Sequence, residues 1–330
     1  MFSRTILKTA CLTAFILVEV ACNQEHRSVG LGRVFQSDPE LNRIVPKDAK
    51  LEKLGGEFGF LEGPAWSPNQ FLLFSDMKSH IIHKWSPEAG LSVFADRKKE
   101  QNNRSGPNGL AFDKEGRLTI CEHGNRRVTR LEINGSPTVL AERYGGKRLN
   151  SPNDLVYRSD GLLYFTDPPF GLPGKDADPQ KELPFSGIFL LSEGRLELVS
   201  DELSGPNGLA LSPDEKYLYI GSNNEQKPIV MRYEVLPSGT LSNGEEFFHA
   251  ATATRAQWLD GMKVDSEGHL YVTSSRGIII ISPTGKHLGT IEGPEKPLNL
   301  AWGDSDWKTL YITAHTGLYR MHLNIPGFRH

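Results

Sequence analysis

A short pattern of polar and apolar positions recurs along the chain and is clearest over residues 205–220. It begins with a polar turn, Gly205-Pro206-Asn207-Gly208, and continues into an apolar segment, a second turn and a second apolar segment. Short apolar segments bounded by Gly, Pro, Asn and Asp are typical of β-hairpins. Related segments occur at Glu62-Gly63-Pro64, Gly106-Pro107-Asn108, Ser151-Pro152-Asn153, Leu259-Asp260-Gly261 and Leu298-Asn299-Leu300. The pattern therefore predicts six copies of one hairpin unit.

The spacing of these copies predicts a repeat architecture. Their opening polar residues are Glu62, Asn108, Asn153, Asn207, Asp260 and Asn299. Successive opening residues are 46, 45, 54, 53 and 39 positions apart, and each second strand follows 12 or 13 positions later. Periods of about 40–50 residues are typical of propeller blades.

Most units have room for four short strands, and none shows helical periodicity. We therefore predict an all-β fold, a six-bladed β-propeller with four-stranded antiparallel blades. The last unit lacks a fourth strand, and an N-terminal strand near residues 49–54 is predicted to supply it and close the ring. The alternative is a linear β-solenoid, which would not explain a last unit completed by the N-terminus. The longest insertion, residues 168–186, is predicted to cover a binding face.

Propeller geometry gives the six opening residues a common location. The innermost strand of every blade runs along the central channel, so equivalent residues at the strand starts converge on one axis. The set contains two carboxylates, Glu62 and Asp260, and four carboxamides. Oxygen donors without thiol or imidazole suit a hard divalent cation such as Ca²⁺. A single Asn followed by Gly is also a common turn, and that interpretation stays open for each Asn taken alone.

The N-terminal residues differ from the rest of the chain. Residues 1–22 combine basic positions, a short apolar run and Ala21-Cys22, as in a secretory signal peptide. The run ending in Ala-Cys resembles a bacterial lipoprotein signal with Cys22 as the lipidated residue, although Glu19 departs from that pattern; an ordinary secretory peptide is the alternative. We expect residues 23–47 to be a flexible tether and residues 48–330 to be the propeller domain. The expected location is the periplasm, with Cys22 as a membrane tether.

Composition limits the partners and the redox chemistry. The formal net charge is −3, and no basic stripe suggests a nucleic acid partner. Of three cysteines, only Cys121 lies in the domain, so no disulfide framework is expected, and Cys121 is interpreted as a small buried residue. We expect a monomer or a weak dimer.

Several motifs together resemble one protein family. They are Glu62-Gly63-Pro64-Ala65-Trp66, Asn108-Gly109-Leu110, Cys121-Glu122-His123-Gly124-Asn125-Arg126, Ser151-Pro152-Asn153-Asp154-Leu155, Tyr164-Phe165-Thr166-Asp167-Pro168-Pro169-Phe170-Gly171, Asn207-Gly208-Leu209 and Leu259-Asp260-Gly261-Met262. In this order, over about residues 50–322, they resemble the gluconolactonase, senescence marker protein and luciferin-regenerating enzyme family. The likeness is to bacterial gluconolactonases in particular. Phe170 departs from the family, where a Tyr is common.

The resemblance implies a six-bladed propeller with one catalytic divalent metal on its axis, usually Ca²⁺ and sometimes Zn²⁺ or Mg²⁺. The ligand positions match Glu62, Asn153, Asn207 and Asp260, and Asn108 matches a polar position beside the metal. The expected reaction is hydrolysis of a sugar lactone such as D-glucono-1,5-lactone, with the metal polarising the carbonyl and activating water.

Three further roles follow as hypotheses from this reading. Asp260 is the preferred general base, with Glu62 as a weaker choice and activation of water by the metal alone as the alternative. His123 and Asp167 follow the second strands of units two and three, and we expect both, together with Asn108, to contact the substrate. The alternatives are a surface or strand-end histidine for His123 and a turn before Pro168-Pro169 for Asp167. The absence of a Gly-x-Ser-x-Gly motif argues against a serine nucleophile.

Two other functions are compatible with the sequence. The same site could hydrolyse another ester or an organophosphate. The protein could also be a non-enzymatic binding propeller in which Ca²⁺ braces the channel. The axial carboxylates and the long 168–186 loop favour the enzyme, because a structural ion needs no covering loop.

Overall fold

The structure is a computed structural model, and it describes residues 25–98 and 106–329. The predictions for residues 1–22 and for Cys22 lie outside these residues. The described residues form 28 β-strands and two short α-helices. In chain order the elements are β1 (Glu25–Val29), β2 (Gly32–Gln36), α1 (Leu41–Ile44), β3 (Glu52–Gly55), β4 (Leu61–Ser67), β5 (Phe71–Asp76), β6 (Ile81–Ser86), β7 (Gly90–Asp96), β8 (Pro107–Phe112), β9 (Leu118–Glu122), β10 (Arg127–Leu131), β11 (Pro137–Ala141), β12 (Arg143–Tyr144), β13 (Lys147–Arg148), β14 (Leu155–Tyr157), β15 (Leu163–Asp167), β16 (Gly187–Ser192), β17 (Arg195–Ser200), β18 (Pro206–Leu211), β19 (Tyr217–Ser222), β20 (Ile229–Val235), β21 (Leu241–His249), α2 (Ala250–Thr254), β22 (Leu259–Val264), β23 (Leu270–Ser274), β24 (Gly277–Ile281), β25 (His287–Glu292), β26 (Pro297–Gly303), β27 (Thr309–Ala314) and β28 (Leu318–His322).

The predicted six-bladed β-propeller is confirmed. Blades one to four are the antiparallel sheets β4–β7, β8–β11, β14–β17 and β18–β21, and β22–β25 form the body of blade five. Blade six contains β26–β28 and β3. The innermost strands β4, β8, β14, β18, β22 and β26 contact one another in sequence, and β26 contacts β4, which closes the ring.

Closure of the ring by an N-terminal strand is also confirmed. Strand β3 pairs with β28 through Leu318↔Gly55, Tyr319↔Lys53 and Arg320↔Glu52. The Arg320 guanidinium donates to the Glu52 carboxylate at 2.9 Å across this pair. The closing strand, Glu52–Gly55, thus begins slightly later in the chain than the predicted residues 49–54. Ala49 and Leu51 precede this strand and are buried beside the sheet.

The prediction of a flexible tether over residues 23–47 is wrong for the part that the structure describes. Strands β1 and β2 form a hairpin, and β2 pairs with β25, which extends blade five to six strands. Val29 and Val34 of this hairpin are buried, as are Leu41 and Ile44 of α1. These few apolar residues show no period in the sequence, and their partners lie about 250 residues away, so no local pattern indicates the pairing.

The core is divided into clusters between neighbouring blades. One cluster joins Ala210 and Tyr219 of blade four to Leu259 and Val272 of blade five, and another joins Cys121 of blade two to blade three. Cys121 is fully buried and unpaired, as its interpretation as a small core residue predicts. None of the helices formed by residues 25–98 and 106–329 is long and apolar enough to cross a membrane.

Candidate active site

The opening residues of five inner strands line one cavity at an end of the central channel. The cavity has a volume of about 530 Å³, and its wall includes Glu62, Asn108, Asn153, Asn207 and Asp260. Most of these strands have a β-bulge just after the opening residue, as between Pro107 and Leu110 or between Leu259 and Met262. A bulge bends the strand and redirects a side chain, so it accounts for the inward direction of the opening residues.

The sixth opening residue, Asn299, occupies a different position from the one predicted. Leu300 pairs with Ile312 in the way that Leu110 pairs with Ile120, so Leu298 is the counterpart of Asn108. Asn299 is instead the counterpart of the residue after each opening residue, which is Gly in four blades and Asp154 in blade three. Leu298 stands 14 positions before Ile312, whereas the other opening residues stand 12 or 13 positions before their second-strand residue, so the predicted spacing selected Asn299.

Asn299 lies behind the cavity wall and connects two carboxylates. Its Nδ2 donates to Glu62 Oε2 at 3.2 Å and to Asp154 Oδ2 at 3.3 Å. Its Oδ1 accepts from the backbone N–H of Leu300 at 2.8 Å. A Cβ on neighbouring Gly261 would lie 2.1 Å from Asn299 Oδ1, so only glycine fits beside it. Asn299 therefore supports Glu62 and does not line the cavity.

Asp154 was not among the predicted site residues, although it directly follows Asn153. Its side chain is buried, and Oδ1 accepts from the N–H of Leu155 at 2.9 Å. Its charge raises the pKa of Glu62 and of Asp260. The available signal was that Asp154 stands where the other copies carry Gly109, Gly208 and Gly261.

Burial and mutual repulsion raise the pKa values of Glu62 and Asp260 on the cavity wall. Burial, followed by the charge of Asp154, raises the pKa of Glu62 to about 7, while the N–H of Gly63, Asn299 and the Lys263 ammonium act in the opposite direction. Asp260 is open to the cavity, but the surrounding protein and the charges of Glu62 and Asp154 hold its pKa well above the ordinary value. Concentrated negative charge of this kind favours binding of a cation.

The donor set fits a divalent cation. Asn207 is almost completely buried, and its Oδ1 has no hydrogen-bond partner among the described residues, while its Nδ2 lies 3.5 Å from Leu259 O. A buried carbonyl oxygen without a donor is costly unless a ligand or an ion occupies it. Within residues 25–98 and 106–329, no group of three or more His, Cys, Asp or Glu side chains is arranged to hold a metal. The carboxamides of Asn153 and Asn207 lie on the same cavity wall as Glu62 and Asp260, so these four residues could form an oxygen donor set.

His123 lies on the cavity wall as a neutral imidazole. Its Nδ1 is 3.0 Å from the carbonyl oxygen of Pro152, so Nδ1 carries the proton and Nε2 is left as an acceptor. Burial lowers the pKa of His123 to about 4, although hydrogen bonds with the backbone at Pro152 and Ser151 favour the charged form. Together with Asn108, it offers polar groups to a substrate in the cavity.

Asp167 does not reach the cavity wall, contrary to its predicted contact with substrate. It is fully buried, and its two carboxylate oxygens accept from the backbone N–H groups of Asn150 at 2.7 Å and Ser151 at 2.8 Å. Burial raises the pKa of Asp167 to about 7 in spite of these hydrogen bonds. Both oxygens are thus used to hold the segment that leads to Asn153.

Residues 168–186 cover one side of the cavity, as the sequence predicts. Phe170, Lys175 and Asp176 from this loop line the cavity. The loop is attached at its base, because Ser151 Oγ donates to Pro168 O at 2.5 Å and accepts from Gly171 N at 2.9 Å. Another part of the wall is polar, and its members were not predicted: Ser204, Asn223, Asn224 and Glu225.

Comparisons with known proteins agree with this architecture. The family model described as SMP-30/Gluconolactonase/LRE-like region matches residues 60–316. The chain is 35% identical to a gluconolactonase of Zymomonas mobilis over 338 aligned residues, which cover 97% of this chain and 94% of that protein.

Solved structures of other proteins share this fold. A gluconolactonase from Xanthomonas campestris superposes with a TM-score of 0.78 at 31% identity, covering 90% of this chain and 98% of that one. A calcium-binding regucalcin from Agrobacterium tumefaciens superposes with a TM-score of 0.66 at 18% identity, covering 84% and 96%, which shows the shared fold. The chain therefore belongs to the SMP-30/gluconolactonase/LRE-like family.

Proposed function

We propose that the protein is a divalent-cation-dependent lactonase that hydrolyses a sugar lactone, with D-glucono-1,5-lactone and water giving D-gluconate. The observation that carries this proposal is the convergence of Glu62, Asn153, Asn207 and Asp260 on one covered polar cavity. The similarity to gluconolactonases of Zymomonas and Xanthomonas supports the choice of a sugar lactone.

Glu62, Asn153, Asn207 and Asp260 are the residues that would hold the cation. Their donor atoms are all oxygens, as Ca²⁺ prefers, and Zn²⁺ or Mg²⁺ is the alternative. The calcium-binding description of the Agrobacterium relative supports the same choice. When bound, a divalent cation would supply Lewis-acid polarisation of the lactone carbonyl and a lower pKa for water.

The cavity wall suits a polyhydroxylated substrate. Asn108, Asn223 and Asn224 present amide groups, and His123 Nε2 can accept a hydrogen bond from a sugar hydroxyl. Several hydroxyl groups can therefore be matched at once, which an apolar ester or an organophosphate would leave unpaired. This wall favours the sugar lactone over the other ester substrates.

Asp260 is the preferred general base. Its carboxylate faces the cavity and can take a proton from the attacking water as the new C–O bond forms. The same proton then passes to the ring oxygen as the ring C–O bond breaks, which yields the open-chain acid. The Asp260→Ala variant tests this role when its metal content is measured beside its turnover. Full turnover with metal bound would exclude Asp260 as the base.

A lactone panel tests the proposed function. Hydrolysis of aldonolactones, a simple aryl ester and an organophosphate would be followed in a pH-stat, with and without a chelator. We expect turnover of an aldonolactone that disappears with the chelator and returns with added Ca²⁺. No turnover of any lactone would support the non-enzymatic propeller, and chelator-insensitive turnover would exclude the metal-dependent reaction.

We also propose that the chain is exported to the periplasm and anchored through lipidated Cys22. The support is the sequence pattern of residues 1–22 alone. Mass spectrometry of the N-terminal peptide from membrane fractions would detect a diacylglyceryl group on Cys22. Cleavage elsewhere without lipid would leave an ordinary secretory peptide.

A further inference from the structure

A second cavity lies along the inner strands, on the opposite side of the opening residues from the first. Its volume is about 410 Å³, and residues of all six inner strands line it. None of the residues that line it also lines the first cavity. Between the two lies the layer that contains Asp154 and Asn299. This second cavity therefore occupies a separate part of the channel and is not explained by lactone hydrolysis.

One charged residue stands out in the layer that faces this cavity. The registers of the six inner strands place one small or apolar residue from each of five blades at equivalent positions, and Lys263 at the sixth. The five are Ala65, Ala111, Val156, Ala210 and Ala301. Lys263 Nζ donates to the carbonyl oxygen of Met262 at 2.9 Å, which uses one of its three protons. The other two remain available to a ligand.

The rest of the wall is rich in aromatic side chains. They are Trp66, Phe112, Tyr157, Trp302, Trp307 and Phe328. The buried indole N–H groups of Trp66 and Trp302 have no acceptor among the described residues. Because these two N–H groups are closed to solvent, the indole rings contribute apolar surface to the wall and neither N–H is offered to a guest.

Two cationic side chains, Lys263 and Arg329, and one carboxylate, Asp113, line this cavity. The Asp113 carboxylate on the wall is already occupied, because Arg117 Nε donates to it at 2.7 Å. Arg329 lies on the same wall with its guanidinium 4.6 Å from the centre of the Trp307 ring. The cavity thus combines an ammonium donor with an aromatic apolar wall, which is the composition of a pocket for small molecules.

We propose that the second cavity binds a small organic carboxylate with a flat apolar body. The carboxylate would lie against Lys263, and the body would pack between the aromatic side chains. The cavity has room for roughly a dozen non-hydrogen atoms, taking about 30 Å³ for each as for a water molecule. A bicyclic aromatic acid meets both the size and the charge requirement. This proposal does not rest on the reaction in the first cavity, although the Lys263 ammonium also lowers the pKa of Glu62 there.

Binding of 2-naphthoate, followed by tryptophan fluorescence and by calorimetry, tests the proposal. Three of the five tryptophans of the chain, Trp66, Trp302 and Trp307, line the cavity, so saturation should change the emission. We expect one molecule bound per chain, with at least tenfold weaker binding by Lys263→Met. The matched control Lys216→Met removes an exposed ammonium on blade four and should bind like the unchanged protein. Thermal melting of each variant would verify that it is folded.

Two further measurements distinguish binding in this cavity from binding in the first. The uncharged analogue 2-naphthalenemethanol should bind the unchanged protein and Lys263→Met equally. Neither a chelator nor an excess of gluconate should displace 2-naphthoate. Absence of saturable binding, unchanged affinity in folded Lys263→Met, or displacement by the chelator would overturn the proposal.

Discussion

Three carboxylates, Glu62, Asp154 and Asp260, lie near one another at the centre of the protein, and none takes part in an ion pair formed by the described residues. The hydrogen bonds that stabilise Glu62 and Asp154 come from backbone N–H groups and from the shared Asn299 amide. Repulsion among these charges is therefore incompletely offset by the protein. A divalent cation would offset this repulsion. Asp154 would therefore strengthen cation binding at the proposed ligands Glu62 and Asp260, although it is not itself a proposed ligand.

The first prediction concerns Asp154→Asn. Removal of one negative charge should weaken Ca²⁺ binding by about tenfold, which corresponds to ~1.4 kcal/mol. The same change should raise the melting temperature of the metal-free protein, because less repulsion remains. Calorimetric titration with Ca²⁺ and thermal melting measure the two effects. The control Asp160→Asn removes an exposed carboxylate from the same blade; equal Ca²⁺ affinity in both variants would contradict the charge argument.

The second prediction concerns the pH dependence of stability through His123. The pKa of its imidazole is about 4 in the folded protein and near the ordinary value of 6.5 in the unfolded chain, so the unfolded chain binds more protons between these values. Stability is therefore fully present above pH 6.5 and is lost as the pH falls toward 4. Between pH 7 and pH 5 we expect a loss of about 2 kcal/mol in the free energy of unfolding.

The variant His123→Gln isolates this contribution. Denaturant unfolding at pH 7 and pH 5, with Ca²⁺ present throughout, should show a smaller pH difference for His123→Gln than for the unchanged protein, by that amount. The control His322→Gln removes an exposed imidazole and should leave the difference unchanged. An identical pH difference in His123→Gln would show that this histidine is not held neutral by burial.

At the residue scale, the five opening residues and His123 could be predicted, because the repeat itself places them together. Asp154 and Asn299 could not, since their positions depend on strand register and on the bulges. The position of Asp167 at the end of a second strand correctly indicates the end of the blade at which the cavity lies. The sequence does not show that the Asp167 carboxylate already accepts hydrogen bonds from the backbone N–H groups of Asn150 and Ser151, which hold it behind the cavity wall.

At the scale of elements, the 168–186 loop is attached to the segment that carries Asn153. Ser151 connects the two by its hydroxyl group, while Asn150 Nδ2 donates to Asp167 O and to Phe185 O at 2.9 Å each. Arg126 adds a further link, because it donates to Leu149 O and to Gln180 O in the loop. The position of the loop over the cavity is thus coupled to the position of a proposed metal ligand.

The third prediction follows from this coupling and concerns Ser151→Ala. Loss of the two hydroxyl hydrogen bonds should lower the free energy of unfolding by about 1–2 kcal/mol. It should also raise the KM for the lactone more than it lowers kcat, because the loop borders the cavity. The control Ser238→Ala also loses hydroxyl hydrogen bonds, but in a turn that lies far from the loop along the chain. Unchanged KM in Ser151→Ala would mean that the loop is held by other contacts.

The blades could be predicted as elements, but the β1–β2 hairpin could not. A blade is repeated six times, so weak local signals reinforce one another. The hairpin occurs once, and only Val29 and Val34 provide its buried apolar residues among side chains that the structure describes. Its existence depends on pairing with β25, which is remote in the chain.

At the scale of the whole molecule, the N-terminal region contributes in two different ways. Strand β3 completes blade six, whereas the hairpin adds two strands to blade five, which already has four. Without β3, the edge of β28 is open at the place where the ring closes. Without the hairpin, β25 is an outer strand like those of the first four blades. Loss of β3 should therefore lower the stability of the protein more than loss of the β1–β2 hairpin.

The fourth prediction compares two truncations. A chain that begins after residue 37 should fold and hydrolyse the lactone with a lower melting temperature, because the buried Val29 and Val34 are lost. A chain that begins after residue 56 should be insoluble or should melt far lower, because blade six is incomplete. Circular dichroism and size-exclusion chromatography distinguish these results. Equal stability of the two chains would contradict the closing role of β3.

The most direct test is a titration of metal-free protein with Ca²⁺ in which bound metal and lactone hydrolysis are measured on the same samples. We predict that the rate rises in proportion to bound Ca²⁺ and reaches its maximum at about one ion per chain. Glu62→Gln should bind Ca²⁺ more weakly and show a lower rate, because one proposed ligand has lost its charge. A full rate of hydrolysis in protein without bound metal would contradict the proposed metal-dependent lactonase.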